Sequence, residues 1–246
     1  METLQKQKID GYDVGVRTND YDASKKTIIL IHGIGVSSVY YIPLATELAG
    51  DYNVFALDLP GYGATQKPSK PLNIEQLANV TASFIWENNL QNVIVVGHSM
   101  GCQIIARLNQ LESKNIQKLI LLSPTTNRRE RSVLMQAVRL TQDTFHETLE
   151  VNIIIFSNYL RMGVVRYLQT SKYMVTNHLE DSLQNITTPT LIVRGEKDPI
   201  VPRDWTTYLQ TLSPTIETTE IPSVPHAFHY SFAKETKQLC QTFIEK

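Results

Sequence analysis

Short apolar runs rich in Ile, Val and Leu recur along the chain, each ending in turn-forming residues. Runs of that kind predict strands: here Thr27–Ile31, Asn53–Leu57, Asn92–Val96, Lys118–Leu122, Thr190–Val193 and Thr218–Ile221. Two earlier runs, Gln7–Ile9 and Tyr12–Arg17, flank Asp10-Gly11, a strong short hairpin signal. The segments between the later runs carry apolar residues three and four apart. That spacing predicts helices over Ile74–Asn89, Met100–Ser113, Trp205–Leu212 and Phe232–Ile244. A hairpin followed by strand–helix alternation implies a mostly parallel sheet with helices on both faces. The runs IILI, VIVV and LILL contain no polar residue, as strands buried on both faces require.

One region breaks the alternation. From Thr125 to Thr188 helical spacing dominates, as in Val133, Leu134, Ala137, Val138 and Leu140. The run Val151–Phe156 is ambiguous between strand and helix. About sixty residues of helix between two strands predict a cap over one end of the sheet. Arg128, Arg129 and Arg131 open this region. They read first as a solvated helix start, and secondarily as a basic rim for an acidic substrate. Tyr62–Asn73, rich in Lys, Pro and Thr, reads as a long surface loop.

Composition narrows the function classes. In 246 residues, 42% hydrophobic and 19% charged residues describe a globular chain. The net charge of −1 argues against a broad footprint for nucleic acid or anionic membrane. No apolar run nears the ~20 residues of a membrane span, and the first residues, METLQKQKIDGYD, lack a signal peptide's apolar segment. Cys102 and Cys240 fit no disulfide framework or metal spacing. The expectation is therefore a cytoplasmic protein, monomer or homodimer, with no metal.

The chemistry concentrates in Gly97-His98-Ser99-Met100-Gly101, which follows a predicted strand and opens a predicted helix. This is the G-x-S-x-G nucleophile elbow in the context it requires. A tight turn at Ser99 exposes Oγ and brings the flanking residues against other backbone, hence glycine at both. A serine hydroxyl needs a base, and the base an orienting group. Loops after later strands gather at the same sheet edge. They supply Glu196 and Asp198 after Val193, and His226 and His229 after Ile221. Asp198 is favoured because Glu196, nearer the strand, reads as a turn residue. His226 is favoured because His229 reads as the start of the last helix. His98 should point away from Oγ, and His32 should shape the loop beneath the site. The oxyanion of an acyl-transfer intermediate needs backbone donors. The predicted pair is the N–H of Met100 and that of Ile34, in the loop His32-Gly33-Ile34-Gly35. Ser37 and Ser38 read as caps of the following helix.

Taken together, IILIHGIG, ALDLPGYG, VVGHSMG, TLIVRGEKDPIVP and VPHAF resemble, in order and placement, the α/β-hydrolase superfamily over essentially the whole chain. The resemblance implies a mostly parallel eight-stranded sheet flanked by helices. Residues 1–123 and 189–246 would form the core and 124–188 an inserted helical cap. It implies Ser99, His226 and Asp198 as nucleophile, base and orienter, with the Ile34 and Met100 amides as oxyanion hole. Asp58 would be structural. Ser99 stands where dehalogenases and epoxide hydrolases carry Asp. The expected activity is that of a cofactor-free serine carboxylesterase on a small-molecule ester of small or medium acyl length. The alternatives are a C–C bond hydrolase or lyase on an acidic metabolite, and a non-catalytic ligand receptor.

Overall fold

The alternation of the first strands folds back at Asp10-Gly11, where both residues take positive φ (48° and 81°), as a two-residue hairpin turn needs. The computed structural model describes residues 4–246. Its hairpin pairs β1 (Leu4–Ile9) with β2 (Tyr12–Thr18), and β2 joins the sheet antiparallel to β4 (Asn53–Asp58). The remaining strands are β3 (Thr27–Ile31), β5 (Val93–His98), β6 (Ile116–Leu122), β7 (Thr190–Gly195) and β8 (Ile216–Ile221). With β4 they form the parallel part of an eight-stranded sheet of order β1-β2-β4-β3-β5-β6-β7-β8.

Every residue of β3, β4, β5 and β7 is buried, because apolar layers cover both faces. Ile29, Ile31, Val95 and Leu121 point into one layer; Ile28, Leu30, Val96 and Ile120, one residue away, point into the other. This is the two-residue period of a strand with no solvent face. The first layer holds α2 (Ile74–Glu87), α3 (Met100–Glu112) and α8 (Arg203–Gln210). The second holds α1 (Ile42–Leu48), the short α9 (Phe228–Ser231) and α10 (Ala233–Ile244). Cys102 and Cys240 are free, buried in opposite layers. A capping box starts α2: the Asn73 side chain accepts from the Gln76 N–H (2.9 Å) and the Gln76 side chain from the Asn73 N–H (3.0 Å). The loop before it departs from expectation at its start. Tyr62 is buried, packed edge-on against His32 with ring centroids 4.7 Å apart.

The crossover from β3 to β4 runs opposite to that from β4 to β5, so the loops leaving β3 and β5 diverge and open a crevice between neighbouring strands. Between β6 and β7 the chain makes an all-helical excursion: α4 (Val133–Thr144), α5 (Leu149–Met162), α6 (Val164–Thr176) and α7 (Leu179–Leu183). The ambiguous run Val151–Phe156 lies inside α5. Thr148 caps that helix by accepting from the Val151 N–H (3.3 Å), and a capped, fourteen-residue segment outweighs the β-propensity of its isoleucines. Leu179 and Leu183 of α7 join the first layer beside α3, so the excursion returns to the sheet before β7 begins.

Candidate active site

Ser99 sits at the end of β5 with φ 55° and ψ −118°. A non-glycine residue there costs about 1–3 kcal/mol and is held only by its surroundings. The Ser99 N–H donates to the Leu122 carbonyl oxygen (2.9 Å), and Ser99's own carbonyl accepts from the Cys102 N–H (3.0 Å). The turn is possible because α3 lies directly on the sheet. A Cβ on Gly101 would stand 2.2 Å from the Ile31 carbonyl oxygen, and one on Gly97 would stand 2.6 Å from Gly101 backbone. Met100 opens α3 immediately after Ser99. As the first helical residue it has no intrahelical acceptor for its N–H.

Three further loops converge on Ser99, those after β7, β8 and β3. After β7, the Asp198 carboxylate accepts from the N–H groups of Ile200 (2.8 Å) and Val201 (3.1 Å) through Oδ1. Its Oδ2 meets His226 Nδ1 at 2.8 Å. Both side chains are buried. Glu196 is used differently, accepting the Ser223 N–H (2.7 Å) and fixing the turn that precedes His226. From the loop after β3, Gly33 and Ile34 line the same cavity as Ser99 and His226. That loop is braced from below. The His32 ring bridges the Gly33 carbonyl oxygen (2.8 Å) and the Leu59 N–H (3.2 Å). Asp58 accepts from Ser38 N–H (2.7 Å) and Ala64 N–H (2.8 Å). Ser37 precedes a short 3-10 turn without capping it, and the Ser38 hydroxyl accepts from Arg17 instead (3.1 Å).

The cavity encloses about 540 Å³, its open mouth included. Its floor is Ser99, His226, His98 and Tyr40, and its roof is Leu140, Asp143, Ile155 and Tyr159 from the helical excursion. No Lys or Arg lines it. The three arginines are engaged elsewhere: Arg129 with Asp204 (2.8 Å), Arg131 with Glu180, and Arg128 over the Tyr208 ring (3.6 Å to its centroid). The basic rim for an acidic substrate is therefore not built at this cavity.

The site places a serine on a strained elbow and a buried carboxylate–histidine pair after the last strands. The alpha/beta hydrolase family matches over residues 28–239. The chain belongs to this family. A methyl ester esterase for pimeloyl-[acyl-carrier protein] from Pseudoalteromonas atlantica is 33% identical over 101 residues, which cover 41% of this chain and 38% of that relative. The match thus spans well under half of that relative's length, as it does for two other curated relatives, at 37% and 30%. Among solved structures, a thermophilic esterase from Thermogutta terrifontis superposes with a TM-score of 0.83 at 17% identity, covering 99% of this chain and 98% of that one. The enol-lactonase from Burkholderia xenovorans does so with a TM-score of 0.83 at 17% identity, covering 98% and 100%. At such identities the likeness is one of fold.

The electrostatics of this alpha/beta hydrolase separate its histidines. Burial opposes a proton on His226. The Asp198 carboxylate, its hydrogen bond, and then Asp143 and Glu147 outweigh burial and push His226 up to about 9. The same partnership holds Asp198 below the ordinary carboxylate range against its burial. His229, three residues on, is pushed down to about 3 by burial and then by His226. Neither of its ring nitrogens has a partner. It packs as a neutral ring against Tyr40 and Tyr41, both with centroids at 4.8 Å. His98 is likewise held neutral by burial and neighbouring histidines, with Nε2 3.1 Å from the His226 carbonyl oxygen.

Sequence reasoning missed the residues that hold the His226 loop. Ser123, after β6, donates to the same His226 carbonyl oxygen (3.2 Å). From the excursion, Asp143 accepts the His226 N–H (3.2 Å) and Glu147 the Ala227 N–H (2.6 Å). Both acids are buried, which raises Asp143 to about 6 and Glu147 to about 8. Asp143 stands in the last turn of α4 and Glu147 in the bend after it, so no helical period marks them as a pair, and what they meet is not encoded locally.

Proposed function

We propose that this alpha/beta hydrolase is a serine carboxylesterase for esters with small or medium acyl groups, working through an acyl-enzyme, with residues 124–188 as a cap over the site. The observation that carries the reading is the buried Asp198–His226 pair (2.8 Å) opening on the same cavity as Ser99. With Nδ1 engaged by Asp198, Nε2 of His226 is the atom that takes the Ser99 proton as Oγ attacks the ester carbonyl. The N–H groups of Ile34 and Met100 are the donors for the resulting oxyanion. Collapse of the tetrahedral intermediate breaks the bond to the alcohol, which leaves with the proton from His226. Water then gives a proton to His226 and attacks the acyl carbon. The second intermediate releases the carboxylic acid, and Ser99 regains its proton. Each step needs only side chains and water, so no cofactor is called for.

The roof of Leu140, Ile155 and Tyr159 suits an apolar acyl or alcohol group. The absence of Lys and Arg from the lining favours a neutral ester over an acidic metabolite, and thereby disfavours the C–C hydrolase alternative in its anionic form. Two free, buried cysteines suit a reducing, cytoplasmic setting. The test is hydrolysis of p-nitrophenyl butyrate by the native chain and by Ser99→Ala, with a fluorophosphonate probe on both. The expectation is a fall in kcat of roughly 10⁴- to 10⁶-fold and labelling of the native chain alone. Full activity in Ser99→Ala would sink the mechanism, and an unlabelled, inactive native chain would favour a ligand receptor.

A further inference from the structure

Most large apolar side chains that this molecule exposes lie on the excursion between β6 and β7. They are not scattered. On α5 the exposed residues are Leu149 (77%), Ile153 (59%), Phe156 (66%) and Leu160 (68%). At 100° per residue these positions fall within a stripe about 60° wide. Its opposite face, with Val151, Ile155 and Tyr159, turns toward the protein. Leu134, Val138 and Phe145 of α4 and its C-terminal end, and Val164, Val165 and Leu168 of α6, are exposed as well. An amphipathic helix normally shows solvent its polar face. Here three successive helices show apolar residues on both faces, and a grouped apolar surface marks an interaction site.

Beyond Glu150, an exposed acid in the first turn of α5 that accepts from the Tyr230 hydroxyl (2.6 Å), the charge around the α5–α6 side of this surface is one-sided. Residues 151–177 contain Arg161, Arg166 and Lys172 and no Asp or Glu, and residues 59–73 contain Lys67 and Lys70 and no Asp or Glu. The two segments are tied together: Lys67 donates to the Arg161 carbonyl oxygen, and Arg166 to the Pro68 carbonyl oxygen. A second cavity of about 590 Å³ lies at this junction, lined by Lys67, Arg161, Asn158 and Gly61, and it shares Val36 with the cavity at Ser99. Five cations thus stand beside the apolar stripes in a chain whose net charge is only −1. The sum conceals the segregation, which is why net charge argued against an anionic membrane.

We propose that the outer face of α4–α6 docks on an anionic lipid surface, the apolar stripes entering the acyl boundary and the five cations meeting headgroup phosphates. Apolar face and basic margin together are the pattern of a helix lying in a membrane interface. A second copy of the chain fits less well. A two-fold contact buries the same patch on both partners and would set one cationic margin against the other. Docking does not require any particular ester to be the substrate. It sets the helices whose inner faces roof the cavity at Ser99 against the lipid.

Sedimentation of the full chain with vesicles tests this. Binding to phosphatidylcholine vesicles containing phosphatidylglycerol is expected, with weak binding to phosphatidylcholine alone and a loss as salt shortens the screening length. Phe156→Glu with Leu160→Glu should lower the partition coefficient on the order of a hundredfold. Lys67→Glu with Arg161→Glu should abolish the preference for the anionic vesicles. Circular dichroism and p-nitrophenyl butyrate hydrolysis should be unchanged in the Phe156/Leu160 variant, which separates lost docking from lost folding. If the native chain lacked esterase activity, the vesicle result would still stand on its own. Absence of native binding at low salt, equal binding by the Phe156/Leu160 variant, or a solution dimer that Phe156→Glu dissociates would each overturn the proposal.

Discussion

The sheet edge around Ser99 and the helices between β6 and β7 face each other across one cavity, but they are specified in different ways. At the edge, backbone packs on backbone. The positions that would bear Cβ atoms on Gly97, Gly101 and Gly195 are within 2.2–2.6 Å of main-chain atoms, so residue identity there is dictated by contact. In the excursion, side chains on one face of each helix do the packing, and the other face is left to solvent or a partner. α3 buries residues at nearly every position of its first ten, whereas α5 buries only Val151 and Met162. A close-packed edge holds the strained backbone of Ser99; a loosely attached roof can vary its lining without disturbing that strain.

The largest effect that would sharpen this contrast is at Gly101. Gly101→Val drives a side chain into the Ile31 carbonyl, and neither β3 nor α3 can retreat from its neighbours. The expected loss is more than about 4 kcal/mol, seen as an unfolded or barely folded chain in urea denaturation. Gly50→Val is the control. No heavy atom lies within 4 Å of a Cβ there, and a change within about 0.5 kcal/mol is expected. Equal tolerance at both positions would remove the distinction. Next in size is Asp198→Asn. The fold should survive, because the amide oxygen still accepts from Ile200 and Val201. The group facing His226 Nδ1 no longer enforces the proton there, so kcat should fall about 10⁴-fold with little change in KM. A variant with near-native kcat would show that Asp198 does not orient the base.

The same contrast explains what was legible in the sequence. Strand β3 was read to the residue, and β4–β7 within one or two residues, because burial on both faces writes uninterrupted apolar runs. The elbow and the loops carrying Asp198 and His226 were legible because backbone contact leaves few permitted residues at glycine positions. The excursion was legible only as helix. The run Val151–Phe156 looks like a strand because its β-branched residues serve both faces of α5, one roofing the cavity and one pointing outward. The contacts of Asp143 and Glu147 with residues eighty or more positions away depend on how the excursion settles on the sheet, which no local pattern records. For the same reason three arginines grouped in sequence could suggest a basic rim, though two find their partners on α8 and the third on α7.

The smallest effect is the most discriminating, because it asks whether the roof reaches into the chemistry. Burial, and then the neighbouring Asp143, lift Glu147 to about 8 from an ordinary 4.5. The folded chain therefore holds a proton that the unfolded chain releases between those values. Stability from this group is fully present below about 4.5 and is lost as pH rises through about 8. Glu147→Gln keeps an acceptor for the Ala227 N–H and removes the buried charge. It should match the native chain near pH 4.5 and exceed it above pH 8 by a few kcal/mol, measured by urea denaturation across pH. The ionised carboxylate also helps hold the proton on His226, at about 9, which as the proposed base would set the rising limb of kcat/KM. Without it that limb should move toward lower pH by a fraction of a unit, in the direction a lost negative neighbour dictates. A purely structural glutamate would shift the stability profile and leave the limb in place. In that outcome the roof would only cover the site, and base strength would be set by the sheet edge alone.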